Sequence, residues 1–167
     1  MIPVLETEKL RLVPPSLETL EVYELFYTDS EASKAYGGPI NKEQVLARLK
    51  ADLGSWYLLG FGVWVIQLKS DNSFLGTCGF WQGKDWPIEL TWWVLSKARG
   101  RGIATEASKA AIAHAYKEFK WDVVKTYMND ENLAARNLVE KLGGQKIDRQ
   151  IFNDGLSRDI YKLPKPA

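Results

Sequence analysis

The segment ARGRGIATEA, Ala98 to Ala107, sets two glycines one residue apart between two arginines, directly ahead of an alanine-rich run of helical period. Glycine in or beside regular structure costs roughly 0.5–1 kcal/mol relative to alanine, so a pair at one joint calls for a reason. A tight turn is one. The other is the close approach of an anion, because the first turn of a helix offers backbone N–H groups without partners and a partial positive charge. Two phosphate loops fit poorly. A P-loop ends in Gly-Lys-Ser/Thr, which is absent, and a dinucleotide fingerprint begun at Gly100 needs a glycine where Thr105 stands.

Other side chains could do chemistry around this joint. Glu89, on the strand-like run that feeds it, is the candidate general base. Glu106 falls in the first helical turn, where a carboxylate favours the macrodipole, and that is reason enough for it. His114 lies further along beside the alanine stripe and reads as a packed histidine rather than a proton shuttle. Cys78 is the only cysteine; it lacks a basic neighbour in sequence and reads as a small core residue. Tyr36, Trp81 and Trp86 could wall a pocket for an apolar or cationic group, with Asp85 placed to attract an ammonium.

Composition bounds the setting. The chain has 167 residues, 46% hydrophobic and 26% charged, which suits a single domain with a core of its own over residues 1–167. A formal net charge of +1 supplies no global field for nucleic acid or an anionic membrane, so a cationic site must be local. One cysteine permits no internal disulfide, the opening MIPVLETEKLRL lacks the apolar core of a signal peptide, and no apolar run approaches a membrane span. A cytoplasmic protein is expected, monomeric or homodimeric, with no nucleic-acid or membrane partner and no metal.

The elements that must position these residues follow from periodicity. KLRLVP, Lys9 to Pro14, alternates like a strand; a helix capped by Ser16 runs through Leu20, Tyr23 and Tyr27. EASKAYGGPI is loop, and Asn41 with Gln44 forms a capping box for a helix ending near Leu53. FGVWVIQLK, SFLGTCGFW and IELTWWVL are strand-like, and their short connections imply an antiparallel meander. A helix from Ile103 then leads to VVKTYM, which makes a crossover between parallel strands. A last helix, Asn132 to Leu142, ends at Gly143–Gly144, and QKIDRQIF faces LSRDIYKL across Asn153–Asp154–Gly155. The class is α+β: a mixed, mostly antiparallel sheet with one parallel crossover, helices on both faces and a closing hairpin.

A third loop pattern, Arg/Gln-x-x-Gly-x-Gly/Ala, is met by Arg99, Gly102 and Ala104. Here the chain resembles the GNAT acetyltransferase superfamily, over nearly its whole length, and within it the branch of ribosomal-protein N-terminal acetyltransferases. FLGTCGF, IELTWWVL, GRGIATEA and NLAARNLVEKLG carry the likeness. The resemblance implies acetyl-CoA as co-substrate and no metal. It places the pyrophosphate on Arg99, Gly100, Arg101, Gly102, Ile103 and Ala104, and the pantetheine arm on backbone groups near Val94 and Leu95, with Asn132 and Arg136 on the cofactor side. The implied reaction is acetyl transfer to a primary amine, of a small molecule or a protein N-terminus, with Glu89 as base and Tyr36, Trp81, Asp85 and Trp86 toward the acceptor. The alternative is a non-catalytic acyl-CoA-binding regulatory or interaction module. It arises because family members often carry a tyrosine or serine proton donor where this chain has Val139 and Ala135.

Overall fold

In a computed structural model, which describes residues 1–167, the alternating run at Lys9 forms β2 (Leu10–Val13), paired with a two-residue β1 (Leu5–Glu6) that periodicity alone does not reveal. The three strand-like runs become β3 (Val63–Leu68), β4 (Phe74–Trp81) and β5 (Glu89–Val94), and the five strands lie in the order β1-β2-β3-β4-β5, all antiparallel. The expected meander is therefore present.

Helix α1 (Leu20–Tyr27) follows a short 3-10 turn at Leu17–Thr19. Ser16 is the N-cap of that turn, as expected, and its backbone N–H donates to the Thr19 hydroxyl at 3.1 Å. The box at α2 (Lys42–Leu59) forms as expected, with Gln44 N–H donating to Asn41 Oδ1 at 2.8 Å. This helix runs past Leu53 to Leu59. Gly54 inside it breaks nothing, because the last turns are tied down from beyond: Trp56 donates to the Val63 carbonyl at 2.9 Å and packs edge-on against Trp64. Gly60, at φ 81°, ends it.

The two faces of the sheet bury different helices. Leu10, Leu12, Trp64, Ile66, Cys78, Phe80 and Leu90 pack with Ala107, Ala111 and Ala115 of α3 (Ile103–Lys117), whose alanine stripe lets it lie close to the strands. Val65, Trp93 and Leu95 pack against Val22, Tyr23, Phe26 and Tyr27 of α1 and Val45 and Leu49 of α2.

Beyond α3 come β6 (Val124–Tyr127), α4 (Leu133–Lys141), β7 (Gln145–Ile151) and β8 (Ser157–Leu163). The closing hairpin inserts β8 between β6 and β7, giving a second antiparallel sheet, β6-β8-β7. No backbone ladder joins β5 to β6. The crossover β5–α3–β6 exists, but the surface splits there into two sheets, and side chains bridge them: Thr126 Oγ1 donates to the Leu90 carbonyl at 2.8 Å, the Tyr127 hydroxyl donates to the Pro87 carbonyl at 2.9 Å, and Trp86 packs on Tyr127 and Phe152.

Candidate active site

The split opens a cleft of about 1210 Å³. Its lining includes Arg99, Gly100, Gly102, Ile103 and Ala104 of the glycine loop, Glu89, Trp93 and Val94 of β5, and Tyr36, Trp81, Trp86 and Asn132.

The glycine loop is built for backbone exposure. Gly100 and Gly102 sit at φ 74° and 75°, a region costly to any residue with a Cβ, and α3 starts at Gly102 with no side-chain cap. Bonding within the helix begins when Glu106 N–H donates to the Gly102 carbonyl at 3.0 Å. The N–H groups of residues 100–105 thus have no acceptor in the protein: those of the exposed Gly100, Arg101 and Gly102 belong to the loop, and those of Ile103, Ala104 and Thr105 are the open donors of the first helical turn. Arg99 adds charge beside this run. Arg101 does not enter the cleft; alternation along the loop sends it to a smaller one with Lys9 and Lys69.

Glu106 is structural. Its Oε2 accepts from Thr7 Oγ1 at 2.5 Å and from Lys9 N–H at 2.9 Å, which fastens the β1–β2 turn to the first turn of α3.

The pairing of β5 decides what else faces the gap. Leu95 N–H donates to the Leu75 carbonyl at 2.8 Å, and its own carbonyl accepts from Ala98, so neither backbone group of Leu95 is open to a ligand and its side chain is buried. Residues of an antiparallel pair alternate between exchanging both bonds and none. With Val94 opposite Gly76 and Trp92 opposite Cys78, this phase turns the N–H and C=O of Leu90, Trp92 and Val94 away from β4. They look toward β6, where no strand pairs with them: the Leu90 carbonyl accepts from Thr126 and the Trp92 carbonyl from Tyr36, which leaves the three N–H groups and the Val94 carbonyl open.

Glu89 opens β5 directly across the ladder from Trp81. Its carboxyl is partly buried and has no hydrogen-bond partner; burial pushes its pKa up to about 8, against a lowering pull from the Arg158 guanidinium. A carboxyl with a pKa near neutrality suits proton transfer at physiological pH. The Tyr36 hydroxyl donates to the Trp92 carbonyl, and its ring meets Phe26 edge-on at 5.4 Å. Trp81 and Trp86 meet edge-on at 6.1 Å. Asp85 lies outside the cleft, exposed, at φ 64°, a turn conformation that aspartate tolerates.

Around α4 the placement is mixed. Asn132 Oδ1 caps the helix by accepting from Ala135 N–H at 3.1 Å, while its amide nitrogen has no protein partner. The α4 residues in the wall are Ala134, Ala135, Asn137, Leu138 and Lys141; Arg136 is not among them and donates to the Asp130 carbonyl at 3.3 Å. Val139 is fully buried and packs beneath Gly144, where an added Cβ would come within 2.4 Å of its side chain. The Tyr127 hydroxyl is committed to Pro87, and burial raises its pKa far above that of a free phenol.

His114 is wedged edge-on to Trp64 and Phe119, and desolvation lowers its pKa. Cys78 is buried beside Ser108, its thiol pushed up to about 12 by burial, which leaves it inert. Sequence reading missed several cleft residues, among them Arg48, Asn137, Arg158 and the carboxylate of Asp52. Asp52 of α2 lines the wall, accepts from the Tyr23 hydroxyl at 2.7 Å, and is pushed up to about 6 by burial. In sequence it is only the partner of Arg48 four residues earlier, indistinguishable from a surface helix pair. No group of three or more His, Cys, Asp or Glu side chains gathers to hold a metal, and no helix is long and apolar enough to cross a membrane.

Comparison with known proteins fits this geometry. An acetyltransferase from Agrobacterium tumefaciens str. C58 superimposes with a TM-score of 0.86 at 26% identity, covering 98% of this chain and 95% of that one. RimL, a ribosomal L7/L12 alpha-N-protein acetyltransferase, shares the fold at a TM-score of 0.78 and 10% identity, over 97% of this chain and 94% of that one. So does the microcin C7 self-immunity acetyltransferase MccE, solved in complex with acetyl-CoA and AMP, at 0.75 and 13%, over 93% and 92%. The family model for the acetyltransferase (GNAT) domain matches residues 9–145, from the start of β2 through the end of α4 and with it every wall of the cleft except Arg158. The chain belongs to the GNAT family and is an acetyltransferase.

Proposed function

We propose that the protein transfers an acetyl group from acetyl-CoA to a primary amine by direct attack. The observation that carries this reading is the run of unpaired N–H groups at residues 100–105, set at the mouth of a gap into which β5 turns its own free backbone groups. The loop donors, with Arg99, suit a diphosphate. The open groups of Val94 suit the amides of a pantetheine arm, with the Asn132 amide nitrogen as a further donor. An N–H of Trp92 or Leu90 is placed to stabilise the negative charge that develops on a thioester oxygen. MccE, with the same fold, was solved with acetyl-CoA.

In the reaction the amine nitrogen bonds to the thioester carbon, its extra proton passes to Glu89, and the C–S bond breaks to release the CoA thiolate. Once the amine proton is gone, a thiolate is a far better leaving group from the tetrahedral carbon than the amide nitrogen, so the departure does not require the donor that Val139 and Ala135 fail to supply. Those two apolar residues favour a second reading, a module that binds acyl-CoA without turning it over. Release of free CoA thiol in a panel of small amines and peptide N-termini separates the two. Acceptor-dependent release supports transfer; binding of acetyl-CoA with no release from any acceptor supports the module.

A further inference from the structure

Trp81 is unusual for an exposed tryptophan: it keeps 40% of its surface in solvent, yet its ring is held on several sides. Gly83 lies under it, so close that an added Cβ would stand 2.5 Å from the ring. Trp86 braces its edge at 6.1 Å. Trp86 is itself pinned by Phe152 at 4.8 Å and by the Arg158 guanidinium at 5.2 Å, and Arg158 is clamped to both oxygens of Asp154 at 2.7 and 3.1 Å. A rigid aromatic face is thus presented to the cleft before any ligand arrives. Ordering costs are already met, which favours binding.

What the face serves follows from its position. Trp81 and Glu89 are a directly opposed pair on one face of the sheet, a relation that sets their Cβ atoms about 5 Å apart. The neighbouring pair on that face is Gly79 with Thr91; the Gly62–Val63 backbone packs against Gly79, and the short Thr91 side chain lines the cleft beside the carboxyl. Tyr36 stands in the same cleft wall as Glu89.

We propose, resting on the transferase reading, that the acceptor is a primary amine borne on a flat apolar group, and that this group lies on the Trp81 ring while the amine reaches Glu89. The chemistry is that of an arylalkylamine, met either in a small molecule or at a peptide N-terminus whose first side chain is aromatic.

The test is calorimetric titration of the CoA-saturated protein with 2-phenylethylamine and with n-propylamine, then with Phe-initiated and Ala-initiated tripeptide amides. Aromatic stacking leads us to expect the aromatic member of at least one pair to bind about tenfold more tightly. The pair that shows the preference identifies the source. Trp81→Ala, in protein that still saturates with CoA, should abolish the preference, and Trp81→Phe should keep most of it. Equal binding within both pairs, or a preference that survives Trp81→Ala, overturns the inference. Failure to bind CoA refutes the transferase reading instead, and the same amines titrated into the free protein then decide the role of Trp81 alone.

Discussion

Leu95 donates its backbone N–H to the Leu75 carbonyl at 2.8 Å, and that single bond fixes which half of β5 is spent on β4 and which half faces the gap. Shifted by one residue, the ladder would bury the open groups of Val94, Trp92 and Leu90 and expose those of Leu95, Trp93 and Thr91. The site rests on register as much as on side chains.

Gly102→Ala adds a Cβ that meets no protein atom within 4 Å, so the folded chain accepts it at the cost of a left-handed alanine, about 1–2 kcal/mol. Acetyl-CoA binding should weaken tenfold or more by calorimetry, because the new methyl crowds the loop donors. An unchanged dissociation constant in the folded variant would mean that the loop does not hold the ligand.

As a base, Glu89 must lose its proton, so kcat/KM should rise with pH through about 8. Glu89→Gln should lower turnover by about 10²-fold or more and remove that limb, with acetyl-CoA affinity retained. A variant with the wild-type profile would exclude the role.

The same group links stability to pH. Folding raises the Glu89 pKa above its ordinary 4.5, so the stabilising contribution of its protonation is full below 4.5 and is lost as pH rises through about 8. The ligand-free protein should therefore lose Tm between pH 5 and pH 9, and Glu89→Gln should lose less over that range. Parallel melting curves for the two proteins would contradict it.

Glu106→Ala removes two bonds to a carboxylate that tie β1–β2 to α3. A loss of about 1–3 kcal/mol in urea unfolding is expected, with Glu106→Gln keeping part of it. If stability held and only turnover fell, Glu106 would belong to the chemistry after all.

The sequence made the meander, the α3 crossover, the closing hairpin and the loop at Arg99–Ala104 legible, because each is announced by local signals: alternation, helical period, or glycine at a joint. What stayed hidden depends on tertiary pairing. β1 is too short to alternate, α2 outruns Gly54 because Trp56 is anchored by Val63, and Asp52 becomes a cleft residue only because α2 crosses above Trp93. Arg101, Arg136, Asp85 and Leu95 sit within motifs that line the cleft, yet adjacent positions of a loop, helix or strand face different ways.

The most direct measurement is an amide-resolved NMR titration of the protein with CoA. Large downfield shifts at the N–H groups of residues 100–105, with companions at Trp92 and Val94, are the expected result. Saturating millimolar CoA that leaves those amides where they were would contradict the claim that backbone donors at this joint grip the diphosphate.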